Sequence, residues 1–397
     1  MISTESSTAD RIRTKYLEHF GGDTNAQDFR LFRSPGRINL IGEHTDYNNG
    51  FVLPASADKA VYFAIAPRAD NQVVLYAVDL NETYTFSVED ISKPDQKWAH
   101  FQLGVIEQIY KNGLNIGGFQ AAFGGDVPQG AGMSSSAALE CCLLFALNEV
   151  FSLGLDRFSI VKLAQKAENE YVGVQCGIMD QFASAFGKNE AVIRLDCRSL
   201  EYEYFPFPMD EYLIVLCNTM VEHSLASSEY NTRRLECEKG VSILQKYYPE
   251  IKSLRDATPA QVDEHKGELG NVVYRRCKFM TEEIERVQVA CDFLTAGDLI
   301  RFGEKMYETH QGLQHEYEVS CEELDFLVEQ TLDDDSVIGA RMMGGGFGGC
   351  TINLVKKDAV DRFEEKMKKV YQEKFGIDMP CYRVRITDGT EEIIQKA

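Results

Sequence analysis

The sequence predicts an α/β protein of mixed sheets, built as two domains that meet at a cleft. Three observations carry this. Short runs with period-two alternation and longer runs with helical periodicity alternate along most of the chain. One junction between them, GGDVPQGAGMSSSAALE at 124–140, is a strand, a glycine-rich turn and the start of an apolar helix. A proline-rich bridge, YFPFPMDEY, divides the 397 residues near their middle, and each half is long enough for a core of its own. The boundary is placed there, giving domains 1–207 and 208–397.

In chain order, residues 9–20 read as a helix, and strands follow at 29–33, 37–41 and 60–66, with a polar turn at 42–50. VVLYAV and YTFSV alternate as strands, and DQKWAHFQLGVIEQIYKNG opens a helix. GFQAAFGGDVP is a strand expected to end at Pro128, because proline cannot donate to a ladder. The apolar run SSSAALECCLLFALNEVF predicts a buried helix, since nearly every face is hydrophobic. A helix over 157–172 carries Glu168 and Glu170. The strands AVIRLDC and YLIVLCNT flank the bridge. Charged helical stretches then occupy 233–247, 271–291, 296–309 and 320–331. A glycine-rich loop before a strand (GARMMGGGFGGCTINLV), an amphipathic helix and a closing strand (CYRVRITDG) complete the chain.

Composition narrows the partners. The formal net charge is −21, with acidic residues spread throughout. Nucleic acid and anionic membranes are bound through clustered Lys and Arg, so neither is expected as a partner. No apolar run approaches membrane-spanning length, and MISTESSTADRIR lacks the apolar core of a secretion signal. The eleven cysteines are scattered, without CxxC pairs or Cys/His zinc spacing. These features together predict a cytoplasmic protein.

Two stretches carry chemistry. In QGAGMSSS, Gly130 and Gly132 flank Ala131 and precede Met133, Ser134, Ser135 and Ser136. Glycines permit positive φ and close approach, and a helix N-terminus offers free N–H groups and a favourable dipole, so the loop suits an anion. The serine hydroxyls can cap the helix, bind phosphate or ligate Mg²⁺. It is not a Walker A loop, because no Gly-Lys-Ser/Thr follows. The segment RINLIGEHTDYNNG gathers Arg37, Glu43, His44 and Asp46 within ten residues. A solvated Asx turn is the ordinary meaning of such composition. A Glu-His-x-Asp run after an apolar strand also supplies acceptors and one switchable donor for several hydroxyls, with a fixed cation beside them.

GRINLIGEHTDYNNGFVLP resembles the N-terminal signature of galactokinases, and PQGAGMSSSAA resembles the nucleotide loop of the wider GHMP kinases. Ten specified positions in the first motif coincide by chance at a frequency on the order of 10⁻¹³. RMMGGGFGGCTINL is similar to the third motif of the family, so the likeness spans nearly the whole chain. The resemblance implies a GHMP N-terminal domain and a ferredoxin-like C-terminal domain with the active site between them. It implies ATP-dependent phosphorylation of the anomeric hydroxyl of α-D-galactose, the first committed step of galactose catabolism, by a monomer.

Residue by residue, the resemblance places Asp180, in CGIMDQ, as the catalytic aspartate and Arg37 as its cationic partner. Glu43, His44, Asp46, the Gly177 backbone and Tyr230 fall at sugar-binding positions. Residues 130–136 fall at the ATP phosphates, and Ser136 with Glu168 at Mg²⁺; on sequence alone Glu170 competes with Glu168. Trp98, the single tryptophan, reads equally as core or as a wall of the adenine pocket. Glu222 departs from the family, where many members have a basic residue. His310 and His315 are five apart, wrong for a shared metal. The alternatives are an N-acetylgalactosamine or arabinose kinase, which shares these motifs, and a non-catalytic regulator that senses sugar and ATP.

Overall fold

A computed structural model describes residues 4–21, 29–128, 130–207, 209–222 and 226–394. The first half runs through helix α1 (Thr4–Phe20) and strands β1 (Arg30–Asn39), β2 (Phe51–Val52), β3 (Pro54–Pro67), β4 (Gln72–Ala77) and β5 (Glu82–Ser87). Helix α2 (His100–Lys111), strand β6 (Phe119–Gly125) and helices α3 (Ser135–Phe151), α4 (Arg157–Lys166) and α5 (Met179–Phe186) follow. Strands β7 (Ala191–Asp196) and β8 (Tyr202–Pro206) end it.

The second half contains β9 (Tyr212–Glu222), α6 (Ala226–Leu244), α7 (Pro259–Glu264), α8 (Lys266–Thr295), α9 (Leu299–His315) and α10 (Glu322–Glu329). It continues through β10 (Val337–Met342), β11 (Gly348–Lys356), α11 (Val360–Phe375), β12 (Cys381–Val384) and β13 (Glu391–Glu392).

The main N-terminal sheet has the order β13-β1-β3-β6-β4-β5 and is mixed, because β4 pairs with β6 in parallel. Helix α3 packs on it through Cys142, Leu143, Leu144 and Leu147, which are fully buried, as its all-round hydrophobicity requires. The C-terminal sheet, ordered β10-β11-β9-β12, is antiparallel throughout. Taken with its helical connections, that order is the β-α-β-β-α-β ferredoxin-like arrangement. The halves share a core: one buried cluster joins Ile38 of β1 and Leu40 just after it to Ile352 and Leu354 of β11. The last strand returns to the first sheet, where Arg30 meets Glu392 at 2.6 Å.

Several boundaries differ from expectation. The expected pair of strands at 29–33 and 37–41 is one strand, β1, with a bulge between Pro35 and Arg37. Strand β6 stops at Gly125, short of Pro128. There the Asp126 carboxylate takes the Ala60 N–H at 2.8 Å and ends the ladder. The helix expected over 157–172 changes at Ala167 into a π-helical turn, Ala167–Val172. Such wide turns concentrate at functional sites, and this one buries Glu168 while Glu170 faces outward.

Candidate active site

The nucleotide-type loop is held by the polar motif that precedes it in sequence. The Arg37 N–H donates to the Met133 carbonyl at 3.0 Å. A Cβ at Gly36 would lie 2.7 Å from that same oxygen, so this approach requires glycine. Gly130, Gly132 and Ser134 have φ of 68°, 67° and 53°. Ser134 precedes α3 but does not cap it by side chain; its hydroxyl donates instead to the Asp180 carboxylate.

Asp180 sits in the first turn of α5 and does not cap it. Arg37 grips it in a bidentate pair, Nε to Oδ1 at 2.7 Å and Nη2 to Oδ2 at 3.0 Å. The third Arg37 donor goes to the Gly132 carbonyl. One guanidinium thereby ties the bulged strand, the glycine loop and the aspartate together.

Three cavities run along this line. The first, about 270 Å³, is lined by Arg37, Glu43, His44, Asp46, Asp180 and Tyr230, with Gly177 and the glycines at 344–346. The second, about 330 Å³, lies over the loop and takes in Gly130, Gly132, Met133, Ser134, Ser135 and Ser136. It shares Arg37, Asp180, Gly344 and Gly345 with the first. Ala131 is fully buried beneath the loop. The third, about 280 Å³, shares Ser135 and Ser136 with the second. Trp98, Phe101, Phe123 and Leu139 give it apolar walls. Arg37 is the one cation among the described residues lining the middle cavity.

The electrostatics of the first cavity follow from burial. Asp46 is pushed up to about 7, chiefly by burial and then by the neighbouring Asp180 charge. His44 is pushed down to about 4 by burial, which outweighs the attraction of Glu43. The histidine is therefore neutral near pH 7 and is not the switchable donor that its composition suggests. Gly177 has no room for a side chain, since a Cβ there would overlap the Asp46 carboxylate.

Ser136 donates to Glu168 Oε1 at 2.9 Å beside the loop cavity. Burial raises the Glu168 pKa. Glu170 is half-exposed and pairs with Lys111 at 3.0 Å, away from the loop. A hydroxyl and a carboxylate are hard oxygen donors that suit Mg²⁺, which takes one or two protein ligands and completes its shell with phosphate and water. No group of three His, Cys, Asp or Glu side chains that could hold a metal occurs among the described residues. His310 accepts from the Met342 N–H at 3.2 Å and faces Asp325, so its role is structural.

The galactokinase galactose-binding signature matches residues 14–67, which include Arg37, Glu43, His44 and Asp46. The models for the GHMP kinases N terminal domain and the GHMP kinases C terminal match 101–188 and 288–373. A galactokinase of Clostridium acetobutylicum is 44% identical over 91% of this chain and 94% of its own. One from Thermotoga petrophila is 41% identical over 91% of this chain and 99% of its own. The chain belongs to the galactokinase family of GHMP kinases. The crystal structure of Lactococcus lactis galactokinase complexed with galactose superposes with a TM-score of 0.92, at 36% identity over 97% of this chain and 99% of that one. A Methanococcus jannaschii mevalonate kinase, 14% identical with a TM-score of 0.65 over 91% of this chain and 99% of its own, shares the fold.

Within the galactokinase frame, one residue escaped the sequence reading. Arg341, the residue before Met342 in the third motif, is fully buried. It pairs with Glu43 at 3.0 Å and donates to the Leu40 carbonyl at 2.8 Å. The Gly344 N–H meets the same Glu43 oxygen at 2.8 Å. The first and third motifs are thus joined through one glutamate. A lone arginine before a glycine run was the available signal, but its partner lies 298 positions away. The Glu222 side chain lies outside the described residues.

Proposed function

We propose that Arg37 and Asp180 catalyse transfer of the ATP γ-phosphoryl group to the anomeric hydroxyl of α-D-galactose. The observation that carries this is their bidentate pair at the junction of the first and second cavities. Galactose occupies the first cavity, the phosphates lie over residues 130–136, and adenine enters the third beside Trp98. The indole donates to Glu82 at 2.7 Å, which fixes its ring at the rim.

Asp180 accepts the anomeric proton as the sugar oxygen forms its bond to the γ-phosphorus and ADP departs. Arg37 holds that carboxylate in place through its two hydrogen bonds and compensates charge on the transferred group. Phosphoryl transfer needs mainly alignment and charge compensation, and these two residues supply both. Glu43, His44, Asp46, the Gly177 backbone and Tyr230 bind the sugar hydroxyls. Ser136 and Glu168 hold Mg²⁺, which supplies further charge compensation to the phosphates when bound.

Eleven free thiols support a reducing, cytoplasmic setting. No helix among the described residues is long and apolar enough to cross a membrane. The test is incubation with ATP, Mg²⁺ and galactose, following ADP release and the appearance of an anomeric phosphate by phosphorus NMR. Formation of ADP without a galactose 1-phosphate signal would refute the assignment.

A further inference from the structure

Beneath the Ser136–Glu168 pair lies a buried amide that the reaction scheme does not use. Gln181 follows Asp180 on α5 and is fully buried. Its Nε2 donates to Glu168 Oε2 at 2.7 Å and approaches Glu140 Oε2 at 3.4 Å. The Cys176 thiol also meets Glu168 Oε2, at 3.4 Å. Glu168 Oε1 is left with the Ser136 hydroxyl at 2.9 Å. The two carboxylate oxygens therefore have different duties: one is saturated from within the protein, the other faces the loop.

We propose that Gln181 is a positioning residue that holds Glu168 Oε2 so that Oε1 alone is presented to Mg²⁺. The inference rests on the reading of Glu168 as a metal ligand. A buried glutamine is otherwise an expensive choice, since its amide loses water and must be matched in the interior. Here its N–H₂ group spans two carboxyls, Glu140 on α3 and Glu168 on the π-helical turn. The neighbouring residue on the same helix is Asp180, whose carboxylate faces Arg37. Helix α5 thereby fixes the metal ligand and the proton acceptor from adjacent positions. Groups behind a metal ligand orient it, and their loss typically weakens metal binding ~10–100-fold.

Saturating one oxygen also bears on which ion is favoured. Mg²⁺ demands near-octahedral geometry, whereas Ca²⁺ readily takes both oxygens of a carboxylate. Releasing Oε2 should therefore penalise Mg²⁺ more than Ca²⁺, an outcome that simple loosening of the fold would not produce.

The experiment is calorimetric binding of a non-hydrolysable ATP analogue, in EDTA, in excess Mg²⁺ and in excess Ca²⁺. It compares the wild type with Gln181→Met, Gln181→Asn and Glu168→Ala. Methionine keeps the length and asparagine keeps the amide but withdraws it, so one variant can stand in if the other does not fold. For either Gln181 variant, the affinity gained on adding Mg²⁺ should fall about tenfold. The gain with Ca²⁺ and the affinity in EDTA should stay within about twofold of the wild type. An unchanged Mg²⁺ gain, or equal losses for Mg²⁺ and Ca²⁺, while Glu168→Ala abolishes the gain, overturns the role of Gln181 alone. An unchanged gain in Glu168→Ala overturns the metal-ligand reading and this proposal with it.

Discussion

Arg37 and Asp180 lie 143 positions apart and meet through two hydrogen bonds of 2.7 and 3.0 Å. The arginine comes from a bulge in β1 and the aspartate from the first turn of α5. Because the guanidinium also binds the Gly132 carbonyl, the pair sets the distance between the glycine loop and the Asp180 carboxylate. Asp180→Asn keeps the shape and removes the basic oxygen. It should cut kcat by about 10²–10⁴-fold while galactose and ATP affinities change by no more than a few-fold. Turnover near wild type in the folded variant would remove Asp180 from the mechanism.

The metal assignment separates two glutamates on one π-helical turn. Glu168 faces Ser136, and Glu170 faces Lys111 and Gln108 at the surface. Glu168→Ala should raise the Mg²⁺ concentration for half-maximal turnover by at least ~10-fold, and Glu170→Ala should leave it unchanged. Magnesium titrations of both variants check this, and a shift in Glu170→Ala alone would reverse the assignment.

Sugar affinity should depend on pH through Asp46. Burial, followed by the charge of Asp180, raises this carboxyl to about 7, with Arg37 opposing. The folded chain thus keeps a proton that the unfolded chain releases in the ordinary carboxylate range. The stability from that proton is present at acid pH and lost as pH rises through about 7. Binding to sugar hydroxyls runs the other way, because it uses the ionised form. Galactose affinity should therefore rise with pH through neutrality, and Asp46→Asn should flatten the profile. His44, at about 4, stays neutral over that window and contributes no slope. Calorimetric titration of galactose on either side of pH 7 decides it, and a flat wild-type profile would contradict the carboxylate reading.

Besides its backbone, Gly177 is predicted to matter for the side chain it lacks. A Cβ at this position would overlap the Asp46 carboxylate and displace it. Gly177→Ala should lower kcat/KM for galactose by roughly 10²-fold, with little change in the KM for ATP. Equal losses for both substrates would point to a general disturbance instead.

Much of this architecture was legible in the residues. Strand and helix periods marked the α/β class, and the loop at 130–136 announced itself by glycine spacing before an apolar helix. Arg37, Glu43, His44 and Asp46 were legible because they fall within ten consecutive positions. Three things were not. Sequence periodicity cannot distinguish an α turn from the π turn that buries Glu168 and turns Glu170 outward. The Glu43–Arg341 pair spans 298 positions, and pairing at that distance leaves no local trace. The ionisation of His44 and Asp46 is set by desolvation, which exists only once both halves have closed over them.

Galactose phosphorylation turns on recognition of the sugar's axial 4-hydroxyl. Glucose differs from galactose only at that centre, and Asp46 and Tyr230 are the groups assigned to meet it. A site built to bond a hydroxyl leaves buried polar groups unpaired when the wrong epimer enters, at about 1–3 kcal/mol per group. The deciding measurement is kcat/KM for galactose, glucose and N-acetylgalactosamine, on the wild type and on Asp46→Ala. The wild type should prefer galactose over glucose by roughly 10²-fold or more, and Asp46→Ala should narrow the ratio mainly by losing galactose activity. Equal wild-type kcat/KM for galactose and glucose, or a preference for N-acetylgalactosamine, would contradict galactose as the substrate.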